Sequence, residues 1–532
     1  MVKRYAFDRE ASGIGRRALL KSSALLAGLA LTGIRTVSAA TETVTVETKN
    51  GPLIGAKGPN VISFKGVPYG ADTGGEGRFQ PPRPAAPWKE PRRAFDVGSQ
   101  FPQPPYPKAF IPEEGDDLDT SPMSEDSLFL NVWTPELGEA RRPVMVWLHG
   151  GGFATGSGGS FRYDGSNLAA KHGVVLVTLN HRLNVFGYLD LSGIGGKAYA
   201  ESGNAGMLDI VQALEWVRDN IAAFGGDPTN VTIFGQSGGG GKVMTLMAMP
   251  AAKGLFHRAI AMSGTAIKSI SKEQAQGNAQ ALLKKLEIGV DNLDALQKVP
   301  AEKILEAMAG NFAPVVDGKV LPRDPFDPDA SPISSDVPLI TGWTLTERTF
   351  FEGPLSEIDD AELVSRVMKT AKSDEAVAKE LVATYRTNWP KQPNRRIYQI
   401  IAADIGNGSN AITVAGRKSE QRTAPVYVYH FEKETPVRDL GAPHTIDIAY
   451  VFDNLELSKR INGKPTPEMQ RLADMMSGAW TSFAKGGVPR ADGLPDWAAY
   501  TSANPSIMVF SDTPELMTNP ARYAAAAPPK NG

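Results

Sequence analysis

Residues 231–239 read Val-Thr-Ile-Phe-Gly-Gln-Ser-Gly-Gly, and this stretch decides the fold class. The apolar, β-branched run at 231–234 predicts a strand, and a helix is predicted over residues 240–249. Between them, residues 235–239 match the pattern Gly-x-Ser-x-Gly. A sharp turn from strand to helix exposes a serine hydroxyl but crowds its neighbours, and glycines at both ends relieve that crowding. The pattern therefore predicts that Ser237 is a nucleophile, with N–H groups of the following helix close to it.

The same stretch also suggests a phosphate-binding loop, because Gly241 and Lys242 follow. Such a loop needs a second glycine five residues before Gly241, where Gln236 stands, and a Ser or Thr where Val243 stands. Both requirements fail, which excludes a phosphate loop. A plain glycine-rich turn remains the alternative to a nucleophile.

A second glycine-rich motif, His149-Gly150-Gly151-Gly152-Phe153, follows an apolar run that predicts a strand. Acyl transfer builds negative charge on a carbonyl oxygen, and backbone N–H groups must already point at that position. Glycine lets a substrate approach such groups closely. A flexible turn is the alternative, since the chain has 54 glycines. Two motifs in this order favour an oxyanion site.

The rest of the chain alternates short apolar runs with helical patterns, which predicts an α/β fold with a mostly parallel central sheet flanked by helices. Residues 204–223 predict an amphipathic helix, and residues 66–69 read as irregular surface chain. Polar helical segments at 271–310 and 354–390 predict cap-like insertions. Further strands are predicted at residues 43–47, 143–149, 173–179, 259–262, 337–341, 426–431 and 506–510.

The N-terminus has the pattern of an export signal. Arg16 and Arg17 precede an apolar run from Ser22 to about Gly33, and small residues at 38–40 offer a cleavage site. The run is shorter than the ~20 residues of a membrane span. We expect residues 1–40 to engage the twin-arginine machinery and be cleaved, giving a bacterial periplasmic or secreted protein without a stable membrane anchor. An uncleaved anchor and a disordered tail are the alternatives. Without a repeat or strong linker, residues 41–532 are expected to form a single elaborated domain.

Composition excludes several classes of function. The first forty residues hold seven Lys/Arg and two acids, so the remainder carries 49 basic and 56 acidic residues, a net charge of −7. No basic surplus is left for a nucleic-acid partner. The chain has no cysteine, which excludes disulfides, thiolate metal sites and a cysteine nucleophile. Its six histidines show no pair at metal-ligand spacing, so neither metal nor cofactor is expected.

Many segments together resemble the type-B carboxylesterases, the family of bacterial para-nitrobenzyl esterases and animal cholinesterases. The matching stretches run almost from end to end of the chain. They are residues 64–69, 124–133, 149–153, 204–209, 223–228, 231–239, 257–260, 480–484 and 497. The resemblance implies the α/β-hydrolase fold, with eight or more strands and a gorge leading to the nucleophile.

The resemblance also implies the partners of Ser237. The loop at 342–350 places the acid at Glu347, and the loop at 441–444 places the base at His444, which gives the order Ser, acid, His that this fold requires. Asp336 is the competing acid. The implied oxyanion donors are the N–H groups of Gly151, Gly152 and Gly238. The resemblance also implies that Ser263 lies near the acid. It either helps to hold the acid in position or is a buried structural serine.

Four residues depart from the family pattern. Gln236 stands where the family has an acid, and Gly238 where it has alanine, so a looser backbone and less negative charge are expected beside Ser237. Arg348 replaces the glycine after the acid, which affects the geometry of that loop. Ser127 replaces a common cysteine, in keeping with a chain without disulfides.

These observations predict hydrolysis of a small-molecule carboxylic ester by a Ser-His-Glu triad, through an acyl-enzyme and a backbone oxyanion hole. An amidase, carbamate hydrolase or lactone hydrolase would use the same residues. A non-catalytic, cholinesterase-like binding protein is a further alternative, because fold alone does not guarantee activity. Trp343, Phe153 and Phe350 are candidates for lining an apolar pocket, although core packing is the more common role of such aromatics.

Overall fold

A computed structural model describes residues 42–105 and 119–526 of the chain. The described residues from Glu42 onward form one compact unit. The expected export signal at 1–40 lies outside the described residues.

The strands are bounded as follows: β1 Thr43–Thr48, β2 Gly51–Lys57, β3 Ile62–Pro68, β4 Arg92–Arg93, β5 Phe129–Thr134, β6 Arg142–Leu148, β7 Val175–Leu179, β8 Gly226–Gln236, β9 Arg258–Met262, β10 Ile270–Ser271, β11 Val315–Val316, β12 Leu339–Thr344, β13 Val426–Phe431, β14 Ile507–Phe510 and β15 Glu515–Met517.

The α-helices are α1 Ser166–His172, α2 Asn184–Tyr188, α3 Ala205–Asn220, α4 Gly238–Leu246, α5 Lys272–Lys285, α6 Asp294–Lys298, α7 Ala301–Ala307, α8 Thr349–Glu352, α9 Asp360–Ala371, α10 Glu375–Asn388, α11 Asn394–Ala403, α12 Ser409–Glu420, α13 Ile448–Val451, α14 Lys459–Asn462 and α15 Pro467–Gly486. A π-helical turn at Asp404–Gly408 joins α11 to α12. Short 3-10 turns lie at Gly75–Gly77, Phe161–Tyr163, Gly196–Tyr199, Ser202–Asn204, Ile221–Phe224, Pro250–Ala252, Pro332–Ser334, Leu455–Leu457 and Pro520–Ala526.

One large sheet organises the described part of the chain. Its strand order is β1-β2-β3-β5-β7-β6-β8-β9-β12-β13-β14-β15, with β4 paired to β2. The strands from β7 to β14 pair in parallel, whereas β1, β2, β3 and β5 pair antiparallel on one side and β15 pairs antiparallel on the other. The predicted α/β class with a mostly parallel central sheet is therefore confirmed.

Alternate residues of the central strands supply two separate cores. On β6, Val144 and Val146 join one apolar cluster, whereas Met145 and Trp147 join the other. Because neighbouring side chains of a strand point to opposite faces, the sheet is covered on both sides. The first cluster includes residues of α3, and the second includes residues of α15. This double burial explains why β6 and β7 are continuous apolar runs.

One local expectation from the sequence was wrong, and one predicted strand is longer than expected. Residues 66–69 are not irregular surface chain, because β3 runs to Pro68 and both Val67 and Tyr69 are buried. A bulge between Phe64 and Val67 interrupts the pairing with β5, which hides the alternation expected of a strand. Strand β8 also begins earlier than residue 231, at Gly226.

The polar segments predicted to be helical contain α5, α6 and α7 and, later, α9 and α10. Among the helices that the structure describes, none has the length and apolar character needed to cross a membrane.

Candidate active site

Ser237 lies on the sharp turn between β8 and α4. Its backbone has φ 56° and ψ −125°, a conformation that a residue other than glycine rarely adopts. Its N–H donates to the carbonyl of Met262 at the end of β9, 2.8 Å away, which fixes the strained turn to the neighbouring strand. Such strain is retained at functional sites where the surroundings hold it in place.

Glycines around this turn allow backbones to approach each other closely. A Cβ on Gly239 would lie 1.9 Å from the carbonyl oxygen of Leu148, and one on Gly264 would lie 1.9 Å from that of Ser237. Real Cβ atoms do not approach so closely, so any larger residue would displace the turn. A Cβ on Gly235, the first glycine of the pattern, would lie 2.7 Å from the carbonyl oxygen of Leu148. The crowding inferred from the Gly-x-Ser-x-Gly pattern is thus present on both sides of Ser237.

His444 and Glu347 come from loops that follow β13 and β12. Their side chains are buried, and Nδ1 of His444 makes a short hydrogen bond with Oε2 of Glu347. The other carboxylate oxygen, Oε1, accepts from the N–H of Thr344 at 2.8 Å, which fixes the orientation of the carboxylate. Asp336 is exposed and precedes β12, at the opposite end of that strand.

The free nitrogen of the imidazole has a neighbour that the sequence did not predict as its partner. Nε2 of His444 lies 3.1 Å from the side-chain nitrogen of Gln236. When Nδ1 carries the proton shared with Glu347, Nε2 is an acceptor, and the Gln236 amide donates to it. The residue before Ser237 therefore contacts the base, and Ser237 and His444 line one cavity.

The loop after β6 and the start of α4 together place the three predicted N–H donors near Ser237. Gly151 and Gly152 have φ of 88° and 63°, which glycine adopts without strain. Within residues 42–105 and 119–526, neither N–H is used in a backbone hydrogen bond. Gly238 is the first residue of α4, so its N–H has no acceptor within the helix. A Cβ on Gly238 would lie 2.0 Å from the carbonyl oxygen of Gly152, which shows how tightly the two segments meet.

Two buried titratable residues near the site were missed by the sequence analysis. Asp447 accepts a hydrogen bond of 2.7 Å from the hydroxyl of Tyr429, and burial, together with the nearby Glu347, raises the pKa of Asp447 to about 6. Its position three residues after His444 was the available signal. Lys242 is fully buried, and burial lowers its pKa to about 7. In the sequence, Lys242 stands out only through the Gly-Lys pair of the excluded phosphate loop.

Ser263 is buried at the end of β9, next to Gly264. Its N–H donates to the carbonyl of Gly342 at 2.9 Å, while its hydroxyl has no hydrogen-bond partner among the described residues. This geometry leaves both expectations for Ser263, support of the acid or a structural role, as predictions.

The cavity at the turn has a volume of about 380 Å³. Phe350 and Phe351 line it together with Ile448 and Tyr163, so it is apolar beside a few polar groups. The three aromatic residues predicted as candidates for the pocket lining have different locations in the structure. Phe350 lines the cavity, whereas Trp343 is wholly buried and donates from Nε1 to Asp404 at 2.8 Å. The ring of Phe153 packs against Tyr188 and is not part of the lining.

The arrangement offers a hydroxyl, an imidazole held by a carboxylate, and unused backbone N–H groups around one apolar cavity. These are the parts that acyl transfer needs. In the described ranges 42–105 and 119–526, no three His, Asp or Glu side chains come together as a metal site would require.

Comparisons with known proteins agree with this arrangement. The model of the family described as "Carboxylesterase family" matches residues 42–526. The para-nitrobenzyl esterase of Bacillus subtilis (strain 168) is 35% identical over 491 residues, which cover 89% of this chain and 96% of that protein. The phenmedipham hydrolase of Pseudarthrobacter oxydans is 33% identical over 492 residues, which cover 87% of this chain and 94% of that protein.

Solved structures give the same result. A carboxylesterase from Geobacillus stearothermophilus superimposes with a TM-score of 0.78 at 36% identity, covering 91% of this chain and 99% of that one. A thermophilic para-nitrobenzyl esterase gives a TM-score of 0.76 at 34% identity, with the same coverage. These likenesses confirm the predicted α/β-hydrolase fold and the resemblance found in the sequence.

Proposed function

Because the chain belongs to the carboxylesterase family and is a carboxylic-ester hydrolase, we propose that it works through a triad of Ser237, His444 and Glu347. The observation that carries this proposal is the hydrogen bond from Nδ1 of His444 to Glu347, beside a serine in a strained turn. A carboxylate in this position holds the imidazole in the tautomer whose Nε2 can accept a proton.

In the first half of the reaction, Oγ of Ser237 attacks the ester carbonyl carbon while Nε2 of His444 takes the hydroxyl proton. The carbonyl oxygen becomes an anion, and the N–H groups of Gly151, Gly152 and Gly238 stabilise it. The tetrahedral intermediate then collapses. The carbon–oxygen bond to the alcohol breaks, and His444 gives its proton to the leaving oxygen.

In the second half, water repeats these steps on the acyl-enzyme. His444 removes a proton from water as the oxygen attacks the acyl carbon, and the carboxylic acid leaves as the proton returns to Oγ of Ser237. Glu347 stays ionised and stabilises the imidazolium in both halves. No metal or cofactor takes part in this scheme.

The deciding experiment replaces Ser237 with alanine. Ser237→Ala should lower kcat for a p-nitrophenyl ester by several orders of magnitude, because no acyl-enzyme can form. The unmodified enzyme should also take up one organophosphate per chain, on the peptide that contains Ser237, while the variant takes up none. Full turnover in the variant would overturn the triad. A chain that binds esters without turnover or labelling would instead be a binding protein.

The family also suggests the substrate class. Its relatives include a para-nitrobenzyl esterase, a phenmedipham hydrolase and an esterase that can hydrolyse aliphatic aromatic polyesters. We propose a small ester with an aromatic or apolar group, because Phe350, Phe351 and Ile448 line the cavity. Matched esters, amides, carbamates and lactones that share one acyl group would separate this proposal from the related hydrolase activities.

We also propose export by the twin-arginine route to the periplasm or beyond. Arg16, Arg17, the apolar run after Ser22 and the small residues at 38–40 support it. N-terminal sequencing of the exported protein should begin near residue 41. A mature protein that still begins near Met1 would contradict the proposal.

A further inference from the structure

A buried cation lies behind the loop that carries two of the glycine donors. Lys242 belongs to α4, and its Nζ donates to the carbonyl oxygens of His149 at 2.9 Å and Gly152 at 2.8 Å. The ammonium also lies 5.2 Å from the centre of the Phe153 ring. In the part of the chain that the structure describes, no carboxylate forms an ion pair with it.

The two accepting carbonyls lie on either side of the proposed donors. The carbonyl of His149 belongs to the peptide before Gly150, and the carbonyl of Gly152 belongs to the peptide that leads to Phe153. The N–H groups of Gly151 and Gly152 lie between these two fixed points. Three consecutive glycines have little conformational preference of their own, so such a segment needs external contacts to hold one conformation.

Packing alone does not explain a lysine at this position. A buried ammonium without an anionic partner costs free energy, and apolar residues of similar volume usually replace buried ions without loss of stability. The Phe153 ring, which lies 5.2 Å from Nζ and packs against Tyr188, offers an apolar surface to such a residue. The lysine is therefore kept at a cost, and among the described residues its Nζ donates to the loop at 149–152 alone.

We propose that Lys242 is a positioning residue that holds the loop at 149–152 so that the N–H groups of Gly151 and Gly152 point at the developing oxyanion. This inference rests on the proposed function, because it assigns those two groups to the oxyanion hole. Preorganised donors stabilise the transition state more than the substrate, so a loosened loop should reduce kcat rather than weaken substrate binding.

The test compares Lys242→Met with Lys418→Met. Lys418 is a matched control, because it is also buried and also donates to two backbone carbonyls, those of Ser334 and Ser335, at 2.8 and 2.7 Å. It belongs to α12 and does not line the cavity. Methionine keeps the unbranched shape of either side chain, is one atom shorter, and removes its donors and its charge.

Two inhibitors separate positioning from general damage. A trifluoromethyl ketone forms an oxyanion with the serine, whereas the matching methyl ketone binds as an uncharged carbonyl compound. Lys242→Met should lower kcat about 10- to 100-fold, less than the 100- to 1000-fold of losing a donor outright. It should raise the inhibition constant of the trifluoromethyl ketone by a similar factor. KM and the inhibition constant of the methyl ketone should stay unchanged. Lys418→Met should change none of these four values, and Lys242→Gln, which keeps an N–H donor, should recover part of kcat.

Unchanged kcat and inhibition in Lys242→Met would overturn the inference. An equal loss of affinity for both ketones would also overturn it, as would the same losses of kcat and affinity in Lys418→Met, because each would indicate a general structural effect. Failure of the triad itself is distinguishable. If the triad is wrong, Ser237→Ala keeps its activity. If the triad is right, Ser237→Ala is inactive and Lys242→Met still takes up one organophosphate per chain, whatever the role of Lys242.

Discussion

The side-chain nitrogen of Gln236 lies 3.1 Å from Nε2 of His444, and Gln236 is the residue directly before Ser237. The nitrogen that would accept the serine proton thus already accepts a hydrogen bond from a neutral amide. The family pattern has an acid at this position. Exchange of amide for carboxylate is therefore a direct test of how the neighbour controls the base.

Gln236→Glu should move the acid-side fall of kcat/KM to higher pH by about one unit, because a carboxylate beside the imidazole favours its protonated form. Gln236→Ala is the control, since it removes the amide without adding charge. Loss of the hydrogen bond to the neutral imidazole alone should move its acid-side fall to higher pH by less than the carboxylate does. The measurement is kcat/KM for a p-nitrophenyl ester between pH 5 and 9. Identical profiles for the two variants would show that no charge at residue 236 reaches His444.

Gly238→Ala should lower kcat about tenfold or more, even though alanine is the usual residue of the family there. The Cβ of the alanine would lie 2.0 Å from the carbonyl oxygen of Gly152, so the loop at 149–152 would have to move away. Gly277→Ala in α5 is a suitable control, because its Cβ would meet nothing within 4 Å. Steady-state kinetics and thermal midpoints of both variants check this prediction. A Gly238→Ala enzyme with unchanged kcat would refute it.

Asp447→Asn should stabilise the protein above pH 6 by about 1 to 3 kcal/mol. The pKa of Asp447 is raised to about 6 by burial, so between pH 4 and 6 the unfolded chain loses this proton while the folded chain keeps it. Wild-type stability from this group therefore falls as the pH rises to 6, and the full cost remains above it. Asparagine has no such proton and can still accept from Tyr429. Urea unfolding at pH 4.5, 6 and 8 would measure the difference in free energy of unfolding between the variant and the wild type. A difference that does not depend on pH would contradict the assignment.

Lys242→Met should gain stability while it loses activity. Burial lowers the pKa of Lys242 to about 7, so below pH 7 the folded protein contains the costly ammonium, and above pH 7 it loses the proton before the unfolded chain does. The advantage of the variant, about 1 to 4 kcal/mol, should be largest at pH 6 and shrink by pH 9. His149 and His181 face the same space. Burial and the lysine charge hold the pKa of His149 at about 3 and that of His181 well below its usual value, so neither titrates in this window. Thermal midpoints at the two pH values test this, and an advantage that grows with pH would exclude the assignment.

Much of the fold was predictable because buried parallel strands such as β6, β7 and β13 are continuous apolar runs. Strand β3 was missed, since its bulge at residues 64–67 breaks the alternation that identifies a half-buried strand. The contact of Glu347 with His444 could be expected from the family, whereas the contact of Gln236 with His444 depends on side-chain geometry. The burial of Lys242 could not be read from its neighbours, because glycines on one side of a helix give no hydrophobic pattern.

The order of the strands also bears on how the protein recovers after denaturation. The three proposed catalytic groups follow β8, β12 and β13, and Gln236 is 208 residues away from His444 along the chain. Their meeting requires pairing between segments that are remote in sequence, and such contacts form slowly. We expect turnover to return late in renaturation, after most helical signal has recovered, so that enzyme assays would follow the last step of chain assembly.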